Sequence, residues 1–301
     1  MNGVAAAFPQ RRWRAWVLAA RVPTLTAAVT PVLVGTAAAA GAGRVHPLPF
    51  LAALVGAVCI QIGTNFANDA FDFLRGADTS RRRGPTRAAQ SGLLTPRRVL
   101  GGAYACFGLA ALAGLYLIAL RGWPLLVAGL LSIAAGLAYT GGPWPFGYHG
   151  LGDLFVFLFF GVLAVTGSAY AQTGSLNALA LAASIPVGLL VTAILVVNNL
   201  RDIETDRAAG KRTLAVLMGA RATRALYVLL LTGAAVAPAA LRLAGLTGAW
   251  FWLPWLTAPL LVSLAGAVLW RPDAPTLNRA LRQTARVHLL YGALFAASLL
   301  W

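Results

Sequence analysis

Residues 47–72 read PLPFLAALVGAVCIQIGTNFANDAFD, a long apolar run that ends in amide and carboxylate side chains. A carboxylate near a bilayer is costly and needs a physical reason. A second apolar run ends in the same way at residues 198–206, NNLRDIETD. Six of the eight acidic residues lie in these two clusters, which are Asp69, Asp72 and Asp78, and Asp202, Glu204 and Asp206. Their placement predicts one shared site for a divalent metal.

The composition places the rest of the chain in a membrane. Of 301 residues, 59% are hydrophobic and 11% are charged, whereas soluble domains carry roughly 25% charged residues. Apolar stretches of about 20 residues recur along the chain, which predicts an all-α polytopic membrane protein with a single domain over residues 1–301. We expect nine transmembrane helices around a central cavity, at about 15–40, 47–69, 98–120, 122–140, 151–171, 177–199, 222–243, 247–270 and 280–301.

The distribution of positive charge orients these spans. With nine spans, 21 of the 24 Lys and Arg residues fall in loops on one side, and only Arg44, Arg121 and Arg242 fall on the other. The positive-inside rule therefore predicts a cytoplasmic N-terminal segment at residues 1–14. It also explains the net charge of +16 without nucleic acid. Four spans separate the two acidic clusters, so both are expected at the cytoplasmic membrane face.

Helical spacing selects the metal ligands. Asn65, Asn68, Asp69 and Asp72 follow i, i+3, i+4, i+7 spacing, and Asn199, Asp202 and Asp206 follow i, i+3, i+7. Carboxylate and amide oxygens are the ligands that Mg²⁺ prefers, commonly together with substrate phosphates. The surrounding Arg and Lys residues suit a diphosphate ligand. Two alternatives stay open, namely acids that only pair with interfacial arginines and acids that line an ion pathway.

Three loops add further candidates. Arg87 and Gln90 in the loop after the first cluster, and Lys211 after the second, are expected to contact the ligand, while Thr213 fits either phosphate binding or a helix cap. The link at residues 139–153 contains no Lys or Arg. Its aromatic residues Trp144 and Phe146 have two interpretations: members of an aromatic belt at the membrane interface, or part of the site. Its polar members are expected at the mouth of the cavity as possible acceptor contacts; they are Tyr139, Tyr148, His149 and Asp153, and Asn65 and Gln90 are further candidates for such contacts.

These motifs resemble the UbiA superfamily of intramembrane aromatic prenyltransferases. The resemblance rests on Asn68-Asp69-x-x-Asp72 and on Asp206-x-x-x-Gly210-x-x-Thr213, and it covers nearly the whole chain. Three strings are similar to the branch of that superfamily that acts on 1,4-dihydroxy-2-naphthoate. They are GPTRAAQSG at 84–92, YTGGP at 139–143 and NNLRDIETD at 198–206.

The resemblance implies a reaction and a location. A polyprenyl group would pass from polyprenyl diphosphate to 1,4-dihydroxy-2-naphthoate with loss of carbon dioxide, giving demethylmenaquinol for menaquinone synthesis in the cytoplasmic membrane of a bacterium. Two Mg²⁺ ions would be held by Asp69, Asp72, Asp202 and Asp206, assisted by Asn68 and Asn199. Lys211, Arg201 and Arg87 would neutralise the diphosphate. Gly76 stands where the superfamily often has an acid, so Asp78 and Glu204 receive no definite role.

Other functions remain open at this stage. The nearest alternative is the same fold with another acceptor, such as 4-hydroxybenzoate, homogentisate or a porphyrin. A phosphatidyl-type alcohol phosphotransferase would concentrate its acids in one motif, whereas this chain divides them between two distant helices. A cation transporter needs acids along a path through the membrane, and the sequence offers none on the external side. No motif predicts the length of the prenyl chain.

Overall fold

The computed structural model describes residues 9–41, 43, 45–78, 84–271 and 273–300. Within these ranges the chain contains helices and turns and no strand. The α-helices are α1 Pro9–Ala20, α2 Thr26–Ala40, α3 Pro47–Leu74, α4 Pro96–Arg121, α5 Trp123–Ala138, α6 Gly152–Val156, α7 Ala164–Thr173, α8 Ala178–Ala208, α9 Leu214–Leu243, α10 Ala258–Trp270 and α11 Ala274–Leu299. Short 3₁₀ turns lie at Val22–Thr24, Phe146–Tyr148 and Leu253–Thr257, and a π-helical segment, Phe157–Leu163, joins α6 to α7.

Polar residues at the helix starts explain several of these boundaries. The hydroxyl of Thr95 accepts a hydrogen bond from the backbone N–H of Arg98 at 3.4 Å, and the carboxylate of Asp273 accepts one from Thr276 at 2.9 Å. Thr213 caps α9 in the same way, through the N–H of Val216 at 3.3 Å. Such caps satisfy donors that the first turn of a helix leaves unpaired. Of the two uses open to Thr213, the helix cap is the one observed.

Six helical segments are long and apolar enough to cross a membrane, and a seventh is added if bent α1 and α2 count as one span. α5 is apolar but shorter than these. Each of the nine predicted spans overlaps a helix or a pair of helices, but only six or seven meet these criteria in the described part of the chain. α11 does not pass because Arg279, Arg282 and Arg286 lie in its first half. The count of nine spans and the cytoplasmic N-terminus therefore stay predictions; of the segment 1–14, residues 1–8 lie outside the described ranges.

The helix α8 is the centre of the bundle. Of its most apolar window, 67% is buried inside the protein, a share that none of the other five spanning segments approaches. α9 and α11 pack along it and form the larger core with α10, around residues such as Leu190, Tyr227 and Tyr291. A second core joins α1, α3 and α4 around Phe66 and Phe107. The acid-bearing ends of α3 and α8 therefore belong to different packing units.

Contacts between loops define the two ends of the bundle. At one end the loops after α3, α5 and α8 meet, since Lys211 contacts Asp72 and the N–H of Arg212 donates to Tyr148 O at 3.0 Å. At the other end Arg121 donates to Ala171 O, and the side chain of Gln172 pairs with the backbone of His46. The two acidic clusters therefore lie at one end, as the topology predicts.

Candidate active site

Asp72 is the centre of the polar cluster at this end. It lies near the end of α3 and is 3% exposed. Its Oδ1 accepts hydrogen bonds from Lys211 Nζ at 2.9 Å and from the Tyr148 hydroxyl at 2.8 Å, and its Oδ2 lies 3.5 Å from Arg87 Nη2. Three separate loops thus supply the partners of one carboxylate. A buried carboxylate needs such compensation, because burial without partners strongly disfavours the charged form.

Asp69 has a different set of partners. Its side chain is fully buried, and its two oxygens accept hydrogen bonds from the backbone N–H groups of Ala88 at 3.0 Å and Ala89 at 3.3 Å. The carboxylate therefore fastens the loop after α3 onto the helix. That loop carries Arg87, which bridges Asp72 and Asp78, with its Nε 3.3 Å from Asp78 Oδ2. The sequence predicts Asp69 as a metal ligand, whereas in this structure its oxygens bind backbone N–H groups.

The remaining polar residues of α3 and its loop are also placed. Asn68 Oδ1 accepts a hydrogen bond from the Thr140 hydroxyl at 2.8 Å, which ties α3 to the end of α5. Asn65 donates to Ala20 O at 2.9 Å and to Thr24 Oγ1 at 3.1 Å, and so holds the end of α1 and the turn after it. Gln90 is half-buried in the loop that Asp69 fastens. Asn65 is therefore bound to the end of α1, whereas Asn68 is bound to the end of α5.

The second cluster lies on the last turns of α8. The guanidinium of Arg201 donates to both oxygens of Asp202, at 2.9 and 2.5 Å, and it also reaches Asn198 Oδ1 at 2.9 Å and Asn278 Oδ1 at 2.8 Å. Arg201 therefore links α8 to α11, and each of its three nitrogens donates to a protein partner. Asn199 is buried on the same helix, Asp206 is half-buried one turn beyond Asp202, and Glu204 is exposed.

The link between α5 and α6 connects the clusters. The carboxylates of Asp153, Asp72 and Asp206 lie close enough to act electrostatically on the Tyr139 hydroxyl. Burial and the negative charge of Asp72 raise the pKa of Tyr148 above its ordinary value, so its hydroxyl stays a donor at neutral pH. The ammonium of Lys211 also lies 4.6 Å from the centre of the Tyr148 ring, an attractive cation–π arrangement. Tyr139 and Tyr148 are thus both part of the site.

Two other residues of this link lie differently. His149 is exposed, stacks on Trp144 at 4.6 Å between ring centres, and has its Nδ1 2.9 Å from Pro145 O. Asp153 is buried in the first turn of α6, and its Oδ2 has no hydrogen-bond partner within the described ranges. The structure therefore brings Asp153 to the interior and leaves His149 at the surface.

An apolar cavity begins beside this cluster. It contains about 1150 Å³ of space, counting its open side, and its walls come from α2 to α7. Tyr139, Phe146, Phe155 and Phe159 line the end near Asp72, and small residues such as Gly114 line the part toward the other end. Ring stacking of Phe155 on Phe146 and Phe159 orders the aromatic wall. Such a cavity can hold a hydrocarbon chain and keep water away from it.

A glycine pair shapes the wall of this cavity. A Cβ on Gly161 would lie 2.5 Å from the Cα of Gly188, so the π-helical segment can approach α8 only without side chains there. π-helical turns in α-helices occur frequently at functional sites. The two aromatic residues of the link between α5 and α6 lie differently: Phe146 is buried and lines the cavity, whereas Trp144 is exposed.

Sequence reasoning missed three residues of the site. Thr140 holds Asn68, Asn278 holds Arg201, and Arg75 lies over the Tyr148 ring at 5.7 Å. Thr140 stands beside Tyr139 in a string that was already singled out, so only the importance of its hydroxyl was overlooked. Asn278 is 77 positions away from Arg201 in sequence, and no local pattern connects the two.

The carboxylate and amide oxygens of the site are the candidate metal ligands. Among the side chains that the structure describes, no three His, Cys, Asp or Glu residues converge on a point that could hold a metal ion. Asp72 and Asp202 instead face cationic side chains. The donors available are carboxylate and amide oxygens, which is the chemistry that Mg²⁺ prefers. The chemical type of the site fits Mg²⁺, although its carboxylates are paired with cations in this arrangement.

Fold and site together are those of a helical membrane protein with an anion-handling polar site beside an apolar cavity. The chain belongs to the UbiA prenyltransferase family, whose model matches residues 28–298. It is 40% identical over 290 residues to "1,4-dihydroxy-2-naphthoate octaprenyltransferase" from Escherichia coli, with 94% of each chain covered. It is 42% identical to the protein of the same name from Mycobacterium tuberculosis, covering 94% of this chain and 96% of the relative.

Solved structures show the same fold. A UbiA homolog from Aeropyrum pernix superposes with a TM-score of 0.70 at 18% identity, covering 90% of this chain and 96% of the other. A UbiA homolog from Archaeoglobus fulgidus, solved bound to GPP and Mg²⁺, has a TM-score of 0.65 at 15% identity and covers 95% of this chain and 99% of the other. The expected family membership is confirmed.

Proposed function

We propose that this protein transfers a polyprenyl group from polyprenyl diphosphate to 1,4-dihydroxy-2-naphthoate, with loss of carbon dioxide, and so makes demethylmenaquinol for menaquinone synthesis. One observation carries the proposal: Lys211, Arg87 and Tyr148 all converge on the Asp72 carboxylate beside the apolar cavity. Two cations and a hydroxyl suit a diphosphate, and the cavity suits an isoprenoid. The naphthoate acceptor is supported by relatives that share 40% or more of their residues over nearly the whole chain.

A divalent cation is part of the proposal. The homolog from Archaeoglobus fulgidus binds Mg²⁺ together with GPP, and the oxygen donors here fit the same ion. We assign Asp72, Asp202 and Asp206 as the carboxylates that would hold two Mg²⁺ ions, with Asn68 and Asn199 beside them. When bound, Mg²⁺ supplies Lewis-acid stabilisation of the negative charge that develops on a diphosphate leaving group.

Two of the residues expected at the metal and diphosphate receive other roles. Asp69 is assigned to the loop that carries Arg87, because its two oxygens accept hydrogen bonds from backbone N–H groups of that loop, whereas Asp72 and Asp202 are paired with cationic side chains. Arg201 is assigned to the junction of α8 and α11, because Asp202, Asn198 and Asn278 occupy its donors. Lys211 and Arg87 are then the cations that neutralise the diphosphate. Asp78 supports Arg87, whose Nε lies 3.3 Å from its Oδ2, and Glu204, exposed on α8, receives no definite role.

The protein contributes charge, position and dryness to the reaction. Lys211 and Arg87 would hold the leaving diphosphate, and Tyr148 would donate to it through a hydroxyl that stays protonated at neutral pH. The allylic cation that forms must be kept from water, which the cavity walls do while they hold the tail. The rings of Tyr139 and Phe146 at the cavity end can stabilise positive charge through their faces. The electron-rich naphthoate ring would then attack the cation, losing carbon dioxide and a proton.

The location completes the proposal. We place the protein in the cytoplasmic membrane of a bacterium, with nine spans, a cytoplasmic N-terminus and the site at the cytoplasmic face. The excess of Lys and Arg in the loops at the site end supports this orientation. A reporter fused in turn to each terminus tests it, since nine spans require the two termini to lie on opposite sides.

The decisive experiment is an acceptor comparison. The purified protein is incubated with Mg²⁺, labelled polyprenyl diphosphate and either 1,4-dihydroxy-2-naphthoate or 4-hydroxybenzoate, and the lipid product is identified by mass spectrometry. We expect a decarboxylated prenyl naphthoquinol and no product with 4-hydroxybenzoate, and we expect chelation to stop the reaction. Prenylation of 4-hydroxybenzoate alone would overturn the acceptor, and diphosphate-independent cation flux without transfer would overturn the enzyme.

A further inference from the structure

Three arginines lie along the outer face of α11. Arg279, Arg282 and Arg286 are all exposed and follow i, i+3, i+7 spacing, which places them on one side of the helix. In the described part of the chain Arg282 and Arg286 make no hydrogen bond or ion pair, and Arg279 donates to the Thr276 hydroxyl at 3.0 Å, with Asp273 nearby. These three residues form an arginine ladder.

The ladder lies on the half of α11 nearest the site end, beside a helix that is apolar enough to span a membrane. The Tyr227 hydroxyl lies 2.7 Å from Thr284 Oγ1, and the Tyr291 hydroxyl donates to Ala234 O at 2.8 Å. Both pairs are 57 residues apart, so α9 and α11 run parallel in a constant register. Arg286 is therefore level with Leu229, which is 66% exposed on the outside of a spanning helix. Leu229 lies about 15 Å beyond the Gly219 break in α9, at a rise of 1.5 Å per residue.

An exposed arginine beside the apolar outer face of a spanning helix is stabilised by an anion. Charged side chains in the hydrocarbon region are costly, and they reach toward the nearest interface when they have no protein partner. Helical side chains tilt toward the helix N-terminus. In α11 that end is the site end, because Asn278 binds Arg201 there. The ladder therefore points at the headgroup layer on the side of the active site, and its planar guanidinium groups match a phosphate.

Two phosphate-bearing lipids could bind the ladder, the prenyl diphosphate substrate and a phospholipid of the bilayer, and the position of the ladder distinguishes them. The cavity proposed for the prenyl tail is lined by α2 to α7, and none of its lining residues comes from α9, α10 or α11. A substrate seated there would leave the ladder free. The flanking cations Arg221 and Arg271 are exposed as well, and the one acid beside them, Asp273, lies next to Arg279, so the positive charge near Arg282 and Arg286 has no carboxylate partner among the described residues. The geometry points to an anionic phospholipid of the surrounding bilayer, whose phosphate binds between Arg282 and Arg286.

The test compares lipid binding by two matched variants. The purified protein, wild type, R282Q/R286Q or R97Q/R98Q, is titrated with phosphatidylglycerol or phosphatidylcholine and examined by native mass spectrometry. Arg97 and Arg98 are exposed on the first turn of α4 and control for the loss of two charges. We expect R282Q/R286Q to lose roughly tenfold or more of the affinity for phosphatidylglycerol. R97Q/R98Q should bind like the wild type.

Three outcomes would overturn the lipid site. They are equal binding by wild type and R282Q/R286Q, an equal loss in R97Q/R98Q, and displacement of phosphatidylglycerol by geranyl diphosphate, which would make the ladder a substrate site. If the double variant fails to fold, the single variants Arg282→Lys and Arg282→Gln replace it. We then expect Lys to retain part of the binding that Gln loses, and equal binding by the two would contradict the site.

Discussion

The ammonium of Lys211 lies 2.9 Å from Oδ1 of Asp72, although 139 positions separate the two residues in sequence. Both side chains are largely buried, at 13% and 4% exposure. The carboxylate expected to bind metal is thus paired with the cation expected to bind phosphate. We expect a bound Mg²⁺–diphosphate to replace this one contact by two, with Asp72 facing the metal and Lys211 facing a phosphate oxygen.

Replacing Lys211 by Ala tests this exchange. A hydrogen bond to a charged group is worth about 1.5–3 kcal/mol, so kcat/KM for the polyprenyl diphosphate should fall roughly tenfold to a hundredfold. Steady-state kinetics at saturating naphthoate measure the effect. The matched control is Arg212→Gln, because the Arg212 side chain is exposed and only its backbone N–H binds Tyr148. Equal losses in both variants would show that general charge at this end, not the Asp72 contact, controls binding.

Asp69→Asn and Asp72→Asn should fail in different ways. In Asp69→Asn an NH₂ group would face a backbone N–H of Ala88 or Ala89, so the loop loosens. We expect faster amide exchange at residues 84–92 and weaker diphosphate binding, with the Mg²⁺ concentration for half-maximal activity unchanged. Asp72→Asn should abolish transfer and leave exchange at Ala88 and Ala89 protected. If Asp69→Asn instead raises the Mg²⁺ concentration for half-maximal activity and leaves amide exchange at residues 84–92 unchanged, Asp69 is a metal ligand.

Tyr148→Phe separates the two contacts of the Tyr148 side chain. The ring over Lys211 is kept, while the hydrogen bond to Asp72 is lost. A net hydrogen bond is worth about 0.5–1.5 kcal/mol, so we expect kcat/KM to fall roughly two- to tenfold. Tyr148→Ala should lose more, since the cation–π contact disappears as well. Equal activity of the Phe and Ala variants at any level would exclude a role for the ring.

Gly114→Leu should shorten the accepted prenyl chain. Gly114 lines the cavity on the second half of α4, and nothing lies within 4 Å of a Cβ built there. A leucine would fill space that a long tail uses and leave the aromatic end near Asp72 open. Activity with a polyprenyl diphosphate should drop about tenfold or more, as overpacking costs about 1–3 kcal/mol, while geranyl diphosphate is still used.

The control for this variant is Gly108→Leu on the same helix. Gly108 is exposed, also has nothing within 4 Å of a built Cβ, and does not line the cavity. It should leave the preference for chain length as in the wild type. A Gly114→Leu protein with unchanged preference would show that the tail takes another route.

The class of fold and the residue types of the candidate site can both be predicted from local sequence patterns. Apolar runs can be read locally, and so can the 3.6-residue spacing that puts Asp69 and Asp72 near one face of α3. The loop charges also predicted that both acidic clusters share one end of the bundle, because orientation alternates with every span. The number of spans was less secure, because α11 carries its arginines within the helix and reads as only partly apolar.

The partner that each polar residue contacts depends on the tertiary structure. Asp69 and Asp72 are equivalent in local pattern, yet one binds a loop backbone and the other binds Lys211. Arg201 looked like a phosphate ligand until Asn278, on another helix, occupied one of its donors. Hydrogen bonds depend on distances between segments far apart in the chain, and helical periodicity does not contain those distances. The partners of the acidic residues therefore follow from how the helices pack.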